Sequence, residues 1–133
     1  MKTRAALLIA LCFLALPGFA HADLHNFMTH VNSSYSTDAA AFRASLANRF
    51  PVTDATRQMV VLSVDSPADA VVCFWLHEQF DLPVSKVLQF YRQQEQHDWP
   101  SIVANLGLTM KSETLQILQR GEIEWQPQVA GLN

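Results

Sequence analysis

Glycine is scarce in this chain, four residues in 133, and they are scattered at Gly18, Gly107, Gly121 and Gly131. That spacing excludes a glycine-rich phosphate loop, which needs clustered glycines so that backbone amides can close around an anion. It also excludes a Gly/Ser linker between domains. Cysteine is scarcer still, at Cys12 and Cys73. Cys12 lies in the N-terminal apolar run, and once that run is removed Cys73 has no partner in the chain. Positive charge is thin: nine Lys/Arg, none clustered, face twelve Asp/Glu. Nucleic acid and anionic lipid are bound largely through neutralised phosphates, so neither suits this composition. Nucleophile motifs are missing too. No Gly-x-Ser-x-Gly elbow occurs, and Cys73 sits inside Ala70-Val71-Val72-Cys73-Phe74-Trp75-Leu76 with no charge in that run to lower its pKa. The expectation is a protein that is not an enzyme and carries no cofactor, with Cys73 buried as a small hydrophobe.

What is present first is a leader. Lys2 and Arg4 precede an uncharged, mostly apolar run from Ala5 to Ala20, interrupted by Pro17 and Gly18. Ala20-His21-Ala22 then has the small-x-small form of a cleavage site. These are the parts of a secretory signal peptide in order. The run is shorter than the roughly 20 residues that span a bilayer. The expected division is a signal peptide over 1–22 and one helical domain over 23–133, placed in the periplasm or secreted, with no stable membrane anchor after cleavage. The whole-chain charge is −3. The leader holds two cations and no acid, so the remainder carries −5 with histidine neutral.

The rest of the chain reads as helix nearly throughout. Leu24, Phe27, Met28 and Val31 share one helical face. Asn32-Ser33-Ser34-Tyr35 is expected to interrupt that helix. Ser36, Thr37 or Asp38 would cap a second, stopped by Pro51, and Thr53 a third. Met59 to Val64 is rich in β-branched residues, but no partner strand is evident, which favours helix. Ser66-Pro67-Ala68-Asp69 is a cap, a first-turn proline and an acidic first turn. The helix that follows is apolar nearly all round and belongs in the middle of a bundle. Val84, Val87, Leu88 and Tyr91 form a stripe, as do Trp99, Ile102, Val103 and Leu106; Gly107 and Gly121 are expected C-caps, and Ser112 an N-cap. Glu122 to Asn133 reads as an irregular tail pinned by Trp125. The fold class is all-α, a compact bundle of about six short helices.

The stretches Asp65-Ser66-Pro67-Ala68-Asp69, Pro83 to Arg92, Asp98-Trp99-Pro100-Ser101-Ile102-Val103-Ala104-Asn105-Leu106-Gly107-Leu108 and Ser112 to Gly121 together resemble a group of small secreted all-helical bacterial envelope proteins with a W-x-x-I-x-x-x-L-G segment. The resemblance covers 65–121, the best-defined core, and leaves Asp23 to Val64 outside. It implies an all-α fold and an envelope location, and it brings no catalytic residue with it.

Three constellations remain. His77 and His97 are the candidate metal ligands, since folding could bring them together, although neither pairs with a second ligand at i, i+4. Trp75, Phe90 and Trp99 are the candidate interaction surface, because the chain has more apolar area than its helices need to cover. The segment from Ile102 to Arg120 has the outline of a helix-turn-helix. Val103 stands where a small residue is wanted, Glu113 stands near the start of the would-be recognition helix, and only Lys111 and Arg120 are basic nearby. The leading expectation is a non-catalytic periplasmic binding or interaction module for an unknown protein or a small apolar ligand, without nucleic acid. A histidine-based periplasmic metal-binding protein is the alternative. A membrane-anchored helix-turn-helix DNA-binding regulator that keeps its leader is the second.

Overall fold

The computed structural model describes residues 18–107 and 112–126, with side chains from Asp23 onward and none for Ser112. Among the described residues there are seven helices: α1 (Gly18–Thr37), α2 (Ala39–Arg49), α3 (Asp54–Ser63), α4 (Pro67–Phe80), α5 (Val84–Gln93), α6 (Trp99–Asn105) and α7 (Ser112–Arg120). No strand occurs among these residues, so the all-α expectation holds and Met59 to Ser63 is helical. None of these helices is long and apolar enough to cross a membrane.

The central element is α4. Every residue from Ala68 to Leu76 is buried. Helix α4 packs against α1, α3 and α5, while α2 bridges α1 and α3, α6 rests on α5, and α7 lies along α1. One continuous cluster of buried side chains runs from Leu24 and Val31 through Phe42, Leu46 and Phe50 to Leu118 and Ile123. Phe50 stacks on Phe74 at 5.5 Å between ring centroids. Such dense apolar burial supplies the driving force that a helix-only fold of this length needs.

The helix starts are chemically explicit. Asp38 accepts from the Ala41 amide at 3.0 Å, and Thr53 from the Thr56 amide at 3.2 Å. Ser66 caps α4, with Pro67 filling the first turn, where its missing N–H costs nothing. Asp81 ends α4 in the left-handed region, which aspartate tolerates better than most residues.

One expected boundary is absent. Helix α1 runs unbroken through Asn32-Ser33-Ser34-Tyr35 to Thr37. The hydroxyls of Ser34, Ser36 and Thr37 donate to the carbonyls of His30, Asn32 and Ser33, one turn back. These polar side chains thus bond along the helix instead of opening it. Asn32 has a separate task. Its Oδ1 accepts from the Ala68 amide at 2.9 Å, so a residue of α1 satisfies an orphan donor at the head of α4.

The tail is pinned as expected for the part described. Trp125 packs on Phe42 at 5.4 Å, Ile123 is buried, and Arg49 donates to the Glu124 carbonyl at 3.1 Å. Arg49 also pairs with Glu78 of α4 at 2.8 Å. Residues 127–133 of the expected tail lie outside the described residues, as do residues 1–17 of the expected leader and the side chain of Ser112.

Gly107 and Gly121 both have positive φ, +68° and +64°, but their surroundings differ. A Cβ at Gly107 meets nothing within 4 Å, whereas one at Gly121 would stand 2.6 Å from the Asp23 carbonyl oxygen and 2.7 Å from Phe27 Cβ. Gly107→Ala should therefore cost about 1–2 kcal/mol, the left-handed penalty alone. Gly121→Ala should cost about 1–3 kcal/mol more, because helix α1 must also shift. Urea unfolding of the two variants measures the gap. Equal losses would mean that α1 does not approach α7 this closely.

Candidate functional site

Two places concentrate polar chemistry, one inside the bundle and one on its surface. The inner one forms at the head of α4. Asp69 is 5% exposed. Its Oδ1 accepts from Trp99 Nε1 at 2.8 Å; its Oδ2 accepts from Ser66 Oγ at 2.8 Å and from the Tyr91 hydroxyl at 3.2 Å. The Tyr91 oxygen accepts in turn from the Asp65 amide at 3.0 Å. A buried carboxylate is tolerable only with such partners, and its place in the first turn of α4 adds the favourable end of the helix dipole. Both carboxylate oxygens are engaged by side chains whose positions the core fixes. The cluster therefore reads as a fastening of α4 to α5 and α6.

Towards solvent the same cluster ends in a stack. The His97 ring lies over Tyr91 at 3.8 Å between centroids, and its Nδ1 is 2.5 Å from Asp65 Oδ2. His77 is elsewhere: its Nδ1 meets the Leu82 carbonyl oxygen beyond the C-terminal end of α4. Ser66, beside the His97 cluster, and His77 are eleven residues apart along α4, roughly 16 Å at the rise of an α-helix. The two candidate metal ligands thus sit at opposite ends of one helix. Among the described residues no three His, Cys, Asp or Glu side chains gather as a metal-binding group.

Two of the three residues of the candidate interaction surface are corrected as well: Trp75 and Trp99 are 3% and 1% exposed, while Phe90 is half-buried against the core. Burial of all-round apolar α4 claims Trp75, and the hydrogen bond to Asp69 claims Trp99. Cys73 is buried as expected. Burial first, and the neighbouring Asp69 second, push its thiol up from about 9 to about 12.

The surface site lies between α2 and α3. Helix α2 contributes Arg43, Leu46 and Ala47, spaced i, i+3, i+4; α3 contributes Asp54, Arg57, Gln58, Val61 and Leu62, spaced i, i+3, i+4, i+7, i+8. Together they line an open groove of about 400 Å³. Its position follows from the local fold. Phe42, Leu46 and Phe50 pull α2 into the core, Val60 does the same for α3, and Pro51 ends α2 so that the chain can turn back. Arg57 clasps this turn by donating to the Val52 carbonyl and to Asp54. Arg43 has no partner among the described residues, and its side chain is exposed. Leu62 on the groove's edge is 78% exposed, and Met59 beside it 44%.

Sequence reasoning missed both places. Asp69 carried a usable signal: it is the one charged residue in the otherwise apolar stretch Ala68 to Leu76, and such a residue needs buried donors. The groove carried none, because its two stripes become a site only when they face each other. Comparison with protein-family models, curated protein sequences and solved structures finds no significant match.

The inner cluster makes two predictions. Asp69→Ala strands the Trp99 and Tyr91 donors, and each unsatisfied buried donor costs about 1–3 kcal/mol; chemical denaturation should show a loss several times that of an exposed Asp98→Ala. Burial raises the Tyr91 pKa above its ordinary value near 10, with Asp69 and Asp65 adding to the rise and the Asp65 amide opposing it. A raised acid stabilises the fold fully below the unfolded pKa and loses that contribution as pH climbs towards the folded one. Stability should therefore fall above about pH 10, and Tyr91→Phe should flatten that decline. Cys73 adds a loss of the same sign that begins earlier, near its ordinary value of about 9. A native thiol that labels rapidly at neutral pH would contradict this placement of Cys73.

Proposed function

We propose that this chain is an exported, non-catalytic binding module of the cell envelope and that the α2–α3 groove is its binding site. The observation carrying the reading is the groove itself. It has the size of a small-ligand site, its floor is apolar, and a nearly fully exposed leucine stands on its edge. A leucine that exposed gains about 1.5–3 kcal/mol when something covers it. Export rests on the leader pattern, and the resemblance of residues 65–121 to secreted envelope proteins points the same way. The non-catalytic reading is supported by what occupies the reactive groups: Cys73 is buried with a raised pKa, and the oxygens of Asp69 are engaged by three side-chain donors.

The alternatives find less support. The packing of α7 along α1, with α6 on α5, differs from the paired helices of a helix-turn-helix, in which the second helix is seated on the first. The His77 and His97 rings are each turned to a protein partner at opposite ends of α4.

Intact-mass and native mass spectrometry of protein released by osmotic shock tests the proposal. The expected result is a chain beginning at Asp23 that carries a bound species, and loss of that species in Leu62→Asp. A chain retaining residues 1–22 would refute cleavage of the leader, and absence of the protein from the shock fluid would refute export. A bound species that survives Leu62→Asp unchanged would remove the groove from the reading.

A further inference from the structure

We infer that the α2–α3 groove takes a small amphipathic monoanion, a soluble carboxylate with a medium-length hydrocarbon body, with Arg43 holding the carboxylate and Leu62 closing over the chain. This rests on the groove being the binding site, and it assigns the chemistry of the occupant.

The charges in the groove select the head group. Two arginines and one aspartate line it. Arg57 is committed to Asp54 and to the Val52 carbonyl, so its charge is already neutralised and its donors are partly used. Arg43 has no carboxylate partner among the described residues. The groove therefore presents one uncompensated cation, on a domain whose overall charge after loss of the leader is −5. A single guanidinium above an apolar floor matches a single carboxylate, which it can hold through two parallel hydrogen bonds. Gln58 adds an amide that can donate to the same head group.

The apolar part selects the body. Ala47, Val61 and Leu62, backed by the buried Leu46, supply an aliphatic surface without an aromatic ring. Protein-protein sites of ordinary affinity bury about 800 Å² per partner and rely on aromatic anchors. This groove is compact and aliphatic, which suits a hydrocarbon chain better than a protein face. Leu62 is the residue that an occupant would change most, since it is the most exposed large apolar side chain described.

Sodium octanoate, octyl glucoside and octylammonium share a hydrocarbon body and differ in head-group charge. Each is titrated below its micelle concentration into isotopically labelled protein beginning at Asp23, with amide shifts followed by NMR. Octanoate should saturate shifts confined to residues 43–62. The neutral and cationic analogues should bind at least about tenfold more weakly, the scale of one charge-assisted contact. Arg43→Gln should weaken octanoate by a similar factor. Lys86→Gln, which removes the same charge from α5, should leave it unchanged, and Leu62→Ser should weaken all three probes. Positions 43, 62 and 86 are exposed, so the variants should keep the native spectrum elsewhere. Octyl glucoside binding as tightly as octanoate, with Arg43→Gln silent, would overturn the anion assignment and keep the groove as a binding site. Shifts elsewhere, or none with any probe, would overturn both. Cosedimentation with phosphatidylglycerol vesicles, without octanoate binding, would replace the soluble carboxylate by a membrane surface.

Discussion

The arrangement of the bundle turns on one buried carboxylate. Asp69 occupies the first turn of a helix that is apolar on every side, so its charge cannot reach water without dragging α4 out of the core. The alternative is to bring donors to it. Trp99 comes from α6, Tyr91 from α5 and Ser66 from the cap of α4 itself. Asn32 of α1 meets the adjacent amide of Ala68. Three other helices are thereby set around one helix end by directional bonds, whereas apolar contacts alone would allow them to slide. Replacing this cluster by hydrocarbon of the same shape need not weaken the fold. Its value lies in which packing it permits.

The groove follows a different rule. Helices α2 and α3 reach the core through a few side chains each, chiefly Phe42, Leu46 and Phe50 on one and Val60 on the other. Their remaining faces are not needed for packing. With Pro51 and the Arg57 clasp holding the turn between them, the two outward stripes are fixed at a separation that leaves a channel. The same economy that frees these faces leaves Leu62 uncovered.

Much of the fold was legible because helix signals are local. Caps at Asp38, Thr53 and Ser66, the stop at Pro51 and the positive φ at Gly107 and Gly121 depend on backbone chemistry within a few residues. The break expected at Asn32 to Tyr35 fails because those side chains have another option: hydroxyls that could compete with the helix bond back along it, and Asn32 finds its partner 36 residues away at Ala68. The candidate surface at Trp75 and Trp99 fails for a related reason. An apolar surplus in sequence does not say which aromatic rings the core can use, and here a carboxylate seen only as a first-turn acid claims one of them. The groove depends on two helices facing each other, and no local pattern records that.

The close approach of Gly121 to Asp23 and Phe27 brings together two ends of the described chain. The N-terminal half of α1 completes its seat only when residues around Leu118 to Ile123 are in place. Contacts between residues so far apart in sequence form late, since closing a long loop must precede the gain from the contact. During synthesis, the N-terminal half of α1 therefore waits for α7. Until α7 arrives, α1 stays partly unseated and the bundle is held short of its final packing.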